Sequence, residues 1–230
     1  MNEEQNSPVE QSSQPTAPVA SQKKKGMTKG TKIVVAVIIG LFVLGAGGTL
    51  LRDTLFSGSS LSVSDLVDES EEGIDFKRPE SWIKVDSEDA DIAYTEDGKN
   101  SDDADQGLLI TTESLGIDYS TLTDEQKASL GDEFEKQFSN PETLKSGNCE
   151  EIGTVTTAEE PKDGYDTSFT VDAECTKFTG RAAQARIKLV VGVAGDDLHL
   201  AVVVALSETW DKSGEALDGI IASIRPTAEQ

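Results

Sequence analysis

The stretch ARIKLVVGVAGDDLHLAVVVAL, residues 185–206, decides the fold of this chain. Apolar residues recur at every second position on both sides of Gly195-Asp196, and this period of two is typical of β-strands. A two-residue turn that begins with glycine joins such strands in a hairpin. In the register that this turn imposes, Ile187 faces Val204, so both strands present an apolar face to one core. The alternating residues are Ala185, Ile187, Leu189, Val191 and Val193, then Leu198, Leu200, Val202, Val204 and Leu206.

Further strands precede this hairpin. The pattern predicts a pair over residues 148–158 and 165–176, joined by a turn at residues 161–164. Apolar and polar residues alternate in the second strand of the pair, which predicts one buried face and one solvated face. Nearer the N-terminus, the segments GIDFKRPESWIKVD, DIAYTED and GLLITTESLG predict four shorter strands.

Two segments predict helices. In TDEQKASLGDEFEKQF, Thr123 and Gln126 have the spacing of a capping box. Leu130, Phe134 and Phe138 follow at intervals of four, so they form one apolar stripe. The second helix is WDKSGEALDGIIASIRP, which Pro226 ends. Its buried stripe is Trp210, Leu217, Ile220, Ile221 and Ile224.

The order is therefore four strands, a helix, four strands and a helix. Strands that are joined by short turns imply an antiparallel sheet. Helices with an apolar stripe need a surface to cover, so both should pack on that sheet. We predict an α+β fold, with an antiparallel sheet of about eight strands and two flanking helices over residues 74–226.

The spacing Phe76-x-x-Pro79-x-x-Trp82, the helix between the fourth and fifth strands, and the closing IIASIRP helix after a long hairpin resemble the PsbP-type fold. This fold occurs in the extrinsic photosystem II protein and in envelope lipoproteins of the LpqN type. The resemblance covers about residues 74–226. It implies a binding module without catalysis. The chain differs from the lipoproteins because it has an apolar segment in place of a lipidated cysteine.

That apolar segment predicts a membrane anchor. The nineteen residues from Ile33 to Leu51 carry no charge, and a helix of that length spans about 28 Å, one hydrocarbon core. Five lysines precede it, so the N-terminus should be cytoplasmic and the following domain outside. The alternative is a cleaved signal peptide, with Ala46 and Gly48 as a small-residue cleavage site. Self-association could use the glycines of the segment, which are Gly40, Gly45, Gly47 and Gly48.

The remaining domain layout follows from composition. Residues 1–32 predict a disordered cytoplasmic tail with a basic flank, residues 52–73 a Ser- and acid-rich stalk, and residues 227–230 a C-terminal tail. The net charge of the chain is −23, and residues 52–230 hold 15 basic and 40 acidic residues. So acidic a surface repels phosphate backbones, which argues against nucleic-acid binding.

The two cysteines predict a disulfide. Cys149 and Cys175 lie on neighbouring strands, almost opposite each other about a turn centred on residue 162. Outside the cytoplasm such a pair would oxidise. The alternative is two buried free thiols. A bulge at Ile152, which breaks the alternation, would shift the register.

One loop is a candidate metal site. Asp97, Asn100, Asp102, Asp103 and Asp105 cluster between two predicted strands, and carboxylate and amide oxygens suit calcium. An EF-hand that starts at Asp102 would have Ala104 and Gln106 as ligands, which donate poorly. A solvated loop is the alternative, and no cofactor is predicted.

No catalytic constellation is visible. The single histidine, His199, lies on a predicted strand, and we interpret it as a residue of the strand face, because no triad spacing surrounds it. We predict a non-catalytic binding or accessory module whose partner is a protein or an envelope ligand. The alternatives are an envelope hydrolase or transferase with an unrecognised carboxylate site, and a structural membrane-assembly subunit.

Overall fold

The computed structural model describes residues 60–88, 90–96, 98, 104, 106–145, 149–178 and 184–228. The predicted tail and the predicted anchor from Ile33 to Leu51 lie outside these residues and stay predictions. None of the helices within the described ranges has the length and apolar character that a membrane crossing requires.

The described chain is α+β, as predicted, with ten strands and three helices. The strands are β1 (Leu66–Glu71), β2 (Ile74–Pro79), β3 (Ile83–Lys84), β4 (Ile92–Thr95), β5 (Gln106–Ser114), β6 (Cys149–Glu159), β7 (Thr167–Phe178), β8 (Ala185–Ala194), β9 (Asp197–Leu206) and β10 (Arg225–Pro226). The helices are α1 (Asp124–Phe138), α2 (Pro141–Leu144) and α3 (Ser207–Ser223).

The strands form two antiparallel sheets, so the prediction of one sheet of about eight strands is wrong. The larger sheet has seven strands in the order β3-β4-β5-β9-β8-β7-β6, and the smaller has the order β1-β2-β10. Two strands of the smaller sheet, β1 and β10, were not predicted. The first is polar and half-exposed, and the second has only two residues.

Part of the predicted stalk belongs to the folded domain. Residues 66–71 form β1 and pair with β2, from Leu66 opposite Pro79 to Glu71 opposite Ile74. Upstream of β1, the N–H of Leu61 donates to the buried hydroxyl of Ser213 in α3, at 2.8 Å. At the other end, Thr227 is bound to the domain as well, since its N–H donates to the carbonyl of Gly73.

The central hairpin has the register that its turn predicts. Ala194 pairs with Asp197, and Ile187 pairs with Val204. Gly195 has a φ of 62°, a conformation that suits glycine.

The larger sheet is buried on both faces. Leu198, Leu200 and Val202 of β9 pack towards α1, in a cluster with Leu130, Phe134 and Phe138. Ala201, Val203 and Ala205 pack towards α3, in a second cluster that also includes residues of β2. The result is three layers, with α1 on one side and α3 plus the smaller sheet on the other.

Several turns of the chain lie at one end of the domain. The chain leaves β9 directly into α3, which runs back and ends beside β10. The turns β1–β2, β6–β7 and β8–β9 and the segment after α3 therefore lie at the same end, where they enclose a cleft.

Candidate binding site

The predicted calcium ligands Asp97, Asn100, Asp102, Asp103 and Asp105 all lie outside the described residues, so that site stays a prediction. Within the ranges that the structure describes, no three His, Cys, Asp or Glu side chains are grouped so that they could hold a metal ion.

The predicted disulfide is present. Cys149 and Cys175 are bonded, with Cα atoms 5.8 Å apart, so the free-thiol alternative is wrong. The two cysteines are not cross-strand partners, because Cys149 pairs with Phe178 and Cys175 pairs with Ile152. Register shifts between Cys149 and Val155 cause the offset, as the broken alternation at Ile152 indicated. Both cysteines are buried, so the bond lies within the domain core.

The cleft between the two sheets is the candidate binding site. It has a volume of about 700 Å³ and is lined by residues of three hairpin turns and of the segment after α3. We call it the acidic cleft, because five carboxylates line it, against a single guanidinium, that of Arg225. The carboxylates are Glu72, Asp75, Asp163, Asp196 and Asp197.

The buried side of the cleft contains His199. Only 6% of this residue is exposed, and its Nδ1 is buried without a hydrogen-bond partner in the described part of the chain. The edge of the imidazole meets the ring of Tyr165, with the ring centroids 5.6 Å apart. Burial lowers the pKa of His199, although the nearby Asp197 opposes this shift. The imidazole is therefore neutral at pH 7, and a neutral imidazole has one nitrogen that accepts hydrogen bonds.

Tyr165 can lie against His199 because the cross-strand partner of His199 is Gly192, which has no side chain. A Cβ at Gly192 would lie 2.5 Å from Cε1 of Tyr165, closer than any side chain allows. Burial raises the pKa of the Tyr165 hydroxyl, which also has no partner among the described residues. Nδ1 of His199 and the hydroxyl of Tyr165 are therefore two buried polar atoms at this end of the sheet that have no partner among the described residues.

One carboxylate of the cleft rim, that of Asp75, has hydrogen-bond and ion-pair partners within the domain. Asp75 accepts hydrogen bonds from the hydroxyls of Ser70 (2.7 Å) and Thr227 (2.9 Å). Nε of Arg225 lies 3.7 Å from its carboxylate. These contacts, the Ser70 bond first, lower the pKa of Asp75. Arg225 is therefore committed to Asp75 and does not neutralise the rest of the rim.

The other four rim carboxylates, those of Glu72, Asp163, Asp196 and Asp197, form no ion pair with any described residue. The turn that carries Asp196 is held in place by three hydrogen bonds. The N–H groups of Leu115 and Tyr119 donate to the carbonyls of Asp196 and Gly195, and the N–H of Gly195 donates to Asp166. Part of the rim is therefore fixed before any ligand arrives.

A second cleft of about 770 Å³ lies on the other side of β10 and shares Asp75, Asp163 and Arg225 with the first. It contains Lys162, whose Nζ donates to the carbonyl of Ile221 at 2.9 Å, at the C-terminal end of α3. Burial lowers the pKa of Lys162. Since cations stabilise helix C-termini, this lysine serves the fold and anchors the turn that carries Asp163.

The sequence pattern places His199 on a strand but does not reveal that the residue is buried and lines a cleft. The signal that could have found the cleft is the presence of acidic residues in three turns, Glu72-Gly73, Asp163-Gly164 and Gly195-Asp196. Alternation within one strand says nothing about which turns meet at the end of a sheet, so the cleft needed the structure.

Comparison with known proteins gives likeness in structure only. No family model matches the chain, and no curated protein matches it in sequence. Cyanobacterial PsbP (CyanoP) from Synechocystis sp. PCC 6803 is 17% identical, with a TM-score of 0.44, over 75% of this chain and 98% of that one. LpqN of Mycobacterium tuberculosis, described as involved in cell envelope biogenesis, is 13% identical, with a TM-score of 0.39, over 74% of this chain and 100% of that one. The predicted PsbP-type resemblance is confirmed as a likeness, and at these values it carries nothing about activity or partners.

Proposed function

We propose that this chain is a single-pass membrane protein whose domain outside the cytoplasm is a non-catalytic binding module, with the acidic cleft as its binding site. The observation that carries the proposal is a cleft of about 700 Å³ with five carboxylates on its rim, four of which form no ion pair with any described residue.

The location outside the cytoplasm has two supports. The first is the disulfide between Cys149 and Cys175, because disulfides form and persist in oxidising compartments. The second is the order of the sequence, in which five lysines precede an uncharged segment of nineteen residues. Both support a domain on the outer side of the membrane.

Binding without catalysis fits the arrangement around His199. A catalytic histidine takes a proton from a nucleophile or a water and is oriented by a hydrogen bond to a third group. Nδ1 of His199 has no such bond in the described part of the chain, and the imidazole packs edge-on against Tyr165. A tethered binding domain would in turn gain from the high local concentration at the membrane surface.

The location is tested with a reporter enzyme that folds only outside the cytoplasm, fused to the C-terminus of the full chain. Activity of the reporter is expected. Activity of a reporter that works only in the cytoplasm would contradict the proposal. Changing the five lysines before Ile33 to glutamine should weaken the orientation preference in the same assay.

The binding site is tested by a photo-crosslinking residue at Asp196, on the cleft rim, in the full chain in intact cells. The matched control is the same residue at Asp132, which is exposed on α1 at the other face of the sheet. Crosslinked species are expected from position 196 and not from position 132. Equal products from both positions, or none from position 196, would contradict a binding role for the cleft.

A further inference from the structure

The outer side of β6 is the longest open strand edge in the described part of the chain. This strand has 11 residues and ends the seven-stranded sheet, with β7 as its neighbour. The opposite edge of the same sheet is β3, which has only two residues. Register shifts interrupt β6 from Cys149 to Val155, but the pairing with β7 is regular from Val155 to Glu159. Shortness and bulges are devices that protect sheet edges, and the regular half of β6 has neither.

The backbone groups of this regular half point away from the sheet at every second residue. In an antiparallel pair, residues that bond to the neighbouring strand alternate with residues that do not. The N–H of Glu160 donates to the carbonyl of Ser168 at 3.4 Å, in the same register as the ladder, so the even-numbered residues bond to β7. The N–H and C=O groups of Val155, Thr157 and Glu159 therefore point outwards. They have no partner among the described residues.

The charges beside this edge indicate what kind of strand would pair with it. The hydroxyl of Thr157 donates to the carboxylate of Glu135 on α1, at 2.8 Å, so Glu135 lies beside the strand. Because side chains alternate along a strand, Glu159 lies on the same face as Thr157. Both glutamates are exposed, and neither forms an ion pair with a described residue. A strand with lysine or arginine at alternate positions would place its cations beside them.

A second copy of this chain fits the edge less well. If two copies paired antiparallel about Thr157, Glu159 of one copy would face Val155 of the other. The carboxylates of Glu135 and Glu159 from both copies would then lie on one face of a short ladder, where like charges repel. Residues 52–230 also hold 15 basic and 40 acidic residues, so the two domains would repel each other as a whole.

We propose that the open edge of β6, from Val155 to Glu159, binds an extended basic segment of a protein partner by strand addition. The backbone of the segment completes the outward hydrogen bonds of the edge, and its lysine or arginine side chains pair with Glu135 and Glu159. This inference goes beyond the proposed function, because none of these residues lines the acidic cleft.

A short peptide tests the contact. The probe is acetyl-Lys-Thr-Lys-Thr-Lys-amide, and the amide signals of the uniformly ¹⁵N-labelled full chain in detergent report where it binds. We expect saturable shifts at the amides of Val155, Thr157 and Glu159. A control peptide with methyl groups on its lysine backbone nitrogens keeps every charge but cannot donate to the edge, so it should bind at least about fivefold more weakly.

Two proline variants separate the open side of β6 from its bonded side. Proline has no N–H and is tolerated on an edge strand where the N–H faces solvent. Thr157→Pro should therefore fold and bind the peptide at least about fivefold more weakly. Thr156→Pro removes an N–H that bonds to β7, so it should lower the thermal stability. Thr157→Val keeps the N–H and loses only the hydroxyl, so it should bind the peptide as the wild type does.

Charge variants test the choice of a basic partner. Glu135→Gln and Glu159→Gln should each weaken peptide binding by about threefold. The matched control is Glu208→Gln, an exposed position in the first turn of α3, on the other face of the sheet, and it should leave binding unchanged.

The proposal falls if the amides from Val155 to Glu159 show no saturable shift, or if the methylated peptide binds as tightly as the probe. It also falls if Thr157→Pro folds and binds unchanged, or if Glu208→Gln weakens binding as much as the other charge variants. Should Thr157→Pro not fold, the methylated peptide tests the same contact on the wild-type chain. A failure here leaves the acidic cleft in place, since crosslinking from position 196 tests the cleft separately.

Discussion

The ring of Tyr165 occupies the space that a side chain would take at Gly192: a Cβ there would lie 2.5 Å from Cε1 and 2.6 Å from Cδ1 of the ring. The ring lies edge-on to His199. Gly192, near the end of β8 and paired with His199 on β9, is therefore what lets the aromatic ring cover the histidine.

We predict that Gly192→Ala lowers the free energy of unfolding by about 1–3 kcal/mol, because the half-buried ring of Tyr165 must move away from the added Cβ. Chemical denaturation measures this loss. The matched control is Gly131→Ala in α1, where a Cβ meets nothing within 4 Å. Since alanine favours helices over glycine, the control should gain about 0.5–1 kcal/mol. Equal effects of the two substitutions would contradict the role given to Gly192.

His199 predicts a pH dependence of stability. Burial lowers its pKa in the folded chain below the ordinary value of 6.5. The unfolded chain then binds the proton more readily, so stability is complete above pH 6.5 and falls as the pH drops below that value. Thermal unfolding of the wild type and of His199→Gln, at pH 7.5 and pH 5.5, measures the difference. The wild type should lose more stability between the two values.

The many carboxylates of the chain also titrate at low pH, but they are common to both proteins. The comparison with His199→Gln therefore isolates the histidine. An identical loss of stability in the two proteins would mean that the imidazole titrates in the folded state as it does in the unfolded one.

The disulfide should contribute strongly to stability. The bond closes a loop of 26 residues between Cys149 and Cys175, and loop-closure entropy gives about 3.5 kcal/mol for that length. The double variant Cys149→Ser, Cys175→Ser should lose about this much in chemical denaturation. Alkylation under denaturing conditions, followed by mass spectrometry, should add label only after reduction. Equal labelling with and without reductant would contradict the bond.

The central part of the fold could be predicted from local patterns, and its periphery could not. The register of β8 and β9 followed from the two-residue turn at Gly195-Asp196, because such a turn fixes which residues face each other. The capping box of Thr123 and Gln126 was equally local and is present. In contrast, β1 pairs through polar and half-exposed residues, which do not differ in composition from a stalk.

The site was even less accessible to sequence reasoning. The acidic cleft joins turns that lie more than a hundred residues apart, such as Glu72-Gly73 and Gly195-Asp196. No spacing rule relates turns that meet only through the packing of two sheets. The burial of His199 also depends on a contact that is distant in sequence. The ring of Tyr165, which precedes β7, packs against both His199 and Gly192.

The turn between β1 and β2 provides the last prediction. Glu72 has a φ of 47° and Gly73 a φ of 79°, the left-handed pair that two-residue hairpins of type I′ need. A glutamate in that conformation is strained by about 1–2 kcal/mol relative to glycine. Glu72→Gly should therefore raise the free energy of unfolding by about 1 kcal/mol, although it removes a rim carboxylate. Gly73→Ala is the opposite control and should lower stability by a similar amount.

The two measurements on Glu72→Gly separate folding from binding. Strain at a functional site persists when the side chain has a use there. If the carboxylate of Glu72 contributes to binding in the cleft, the variant is more stable in chemical denaturation and yet gives fewer crosslinked species from the photo-crosslinking residue at position 196. A variant that is more stable and gives the same amount of crosslinked species would show that Glu72 lines the cleft without contributing to binding.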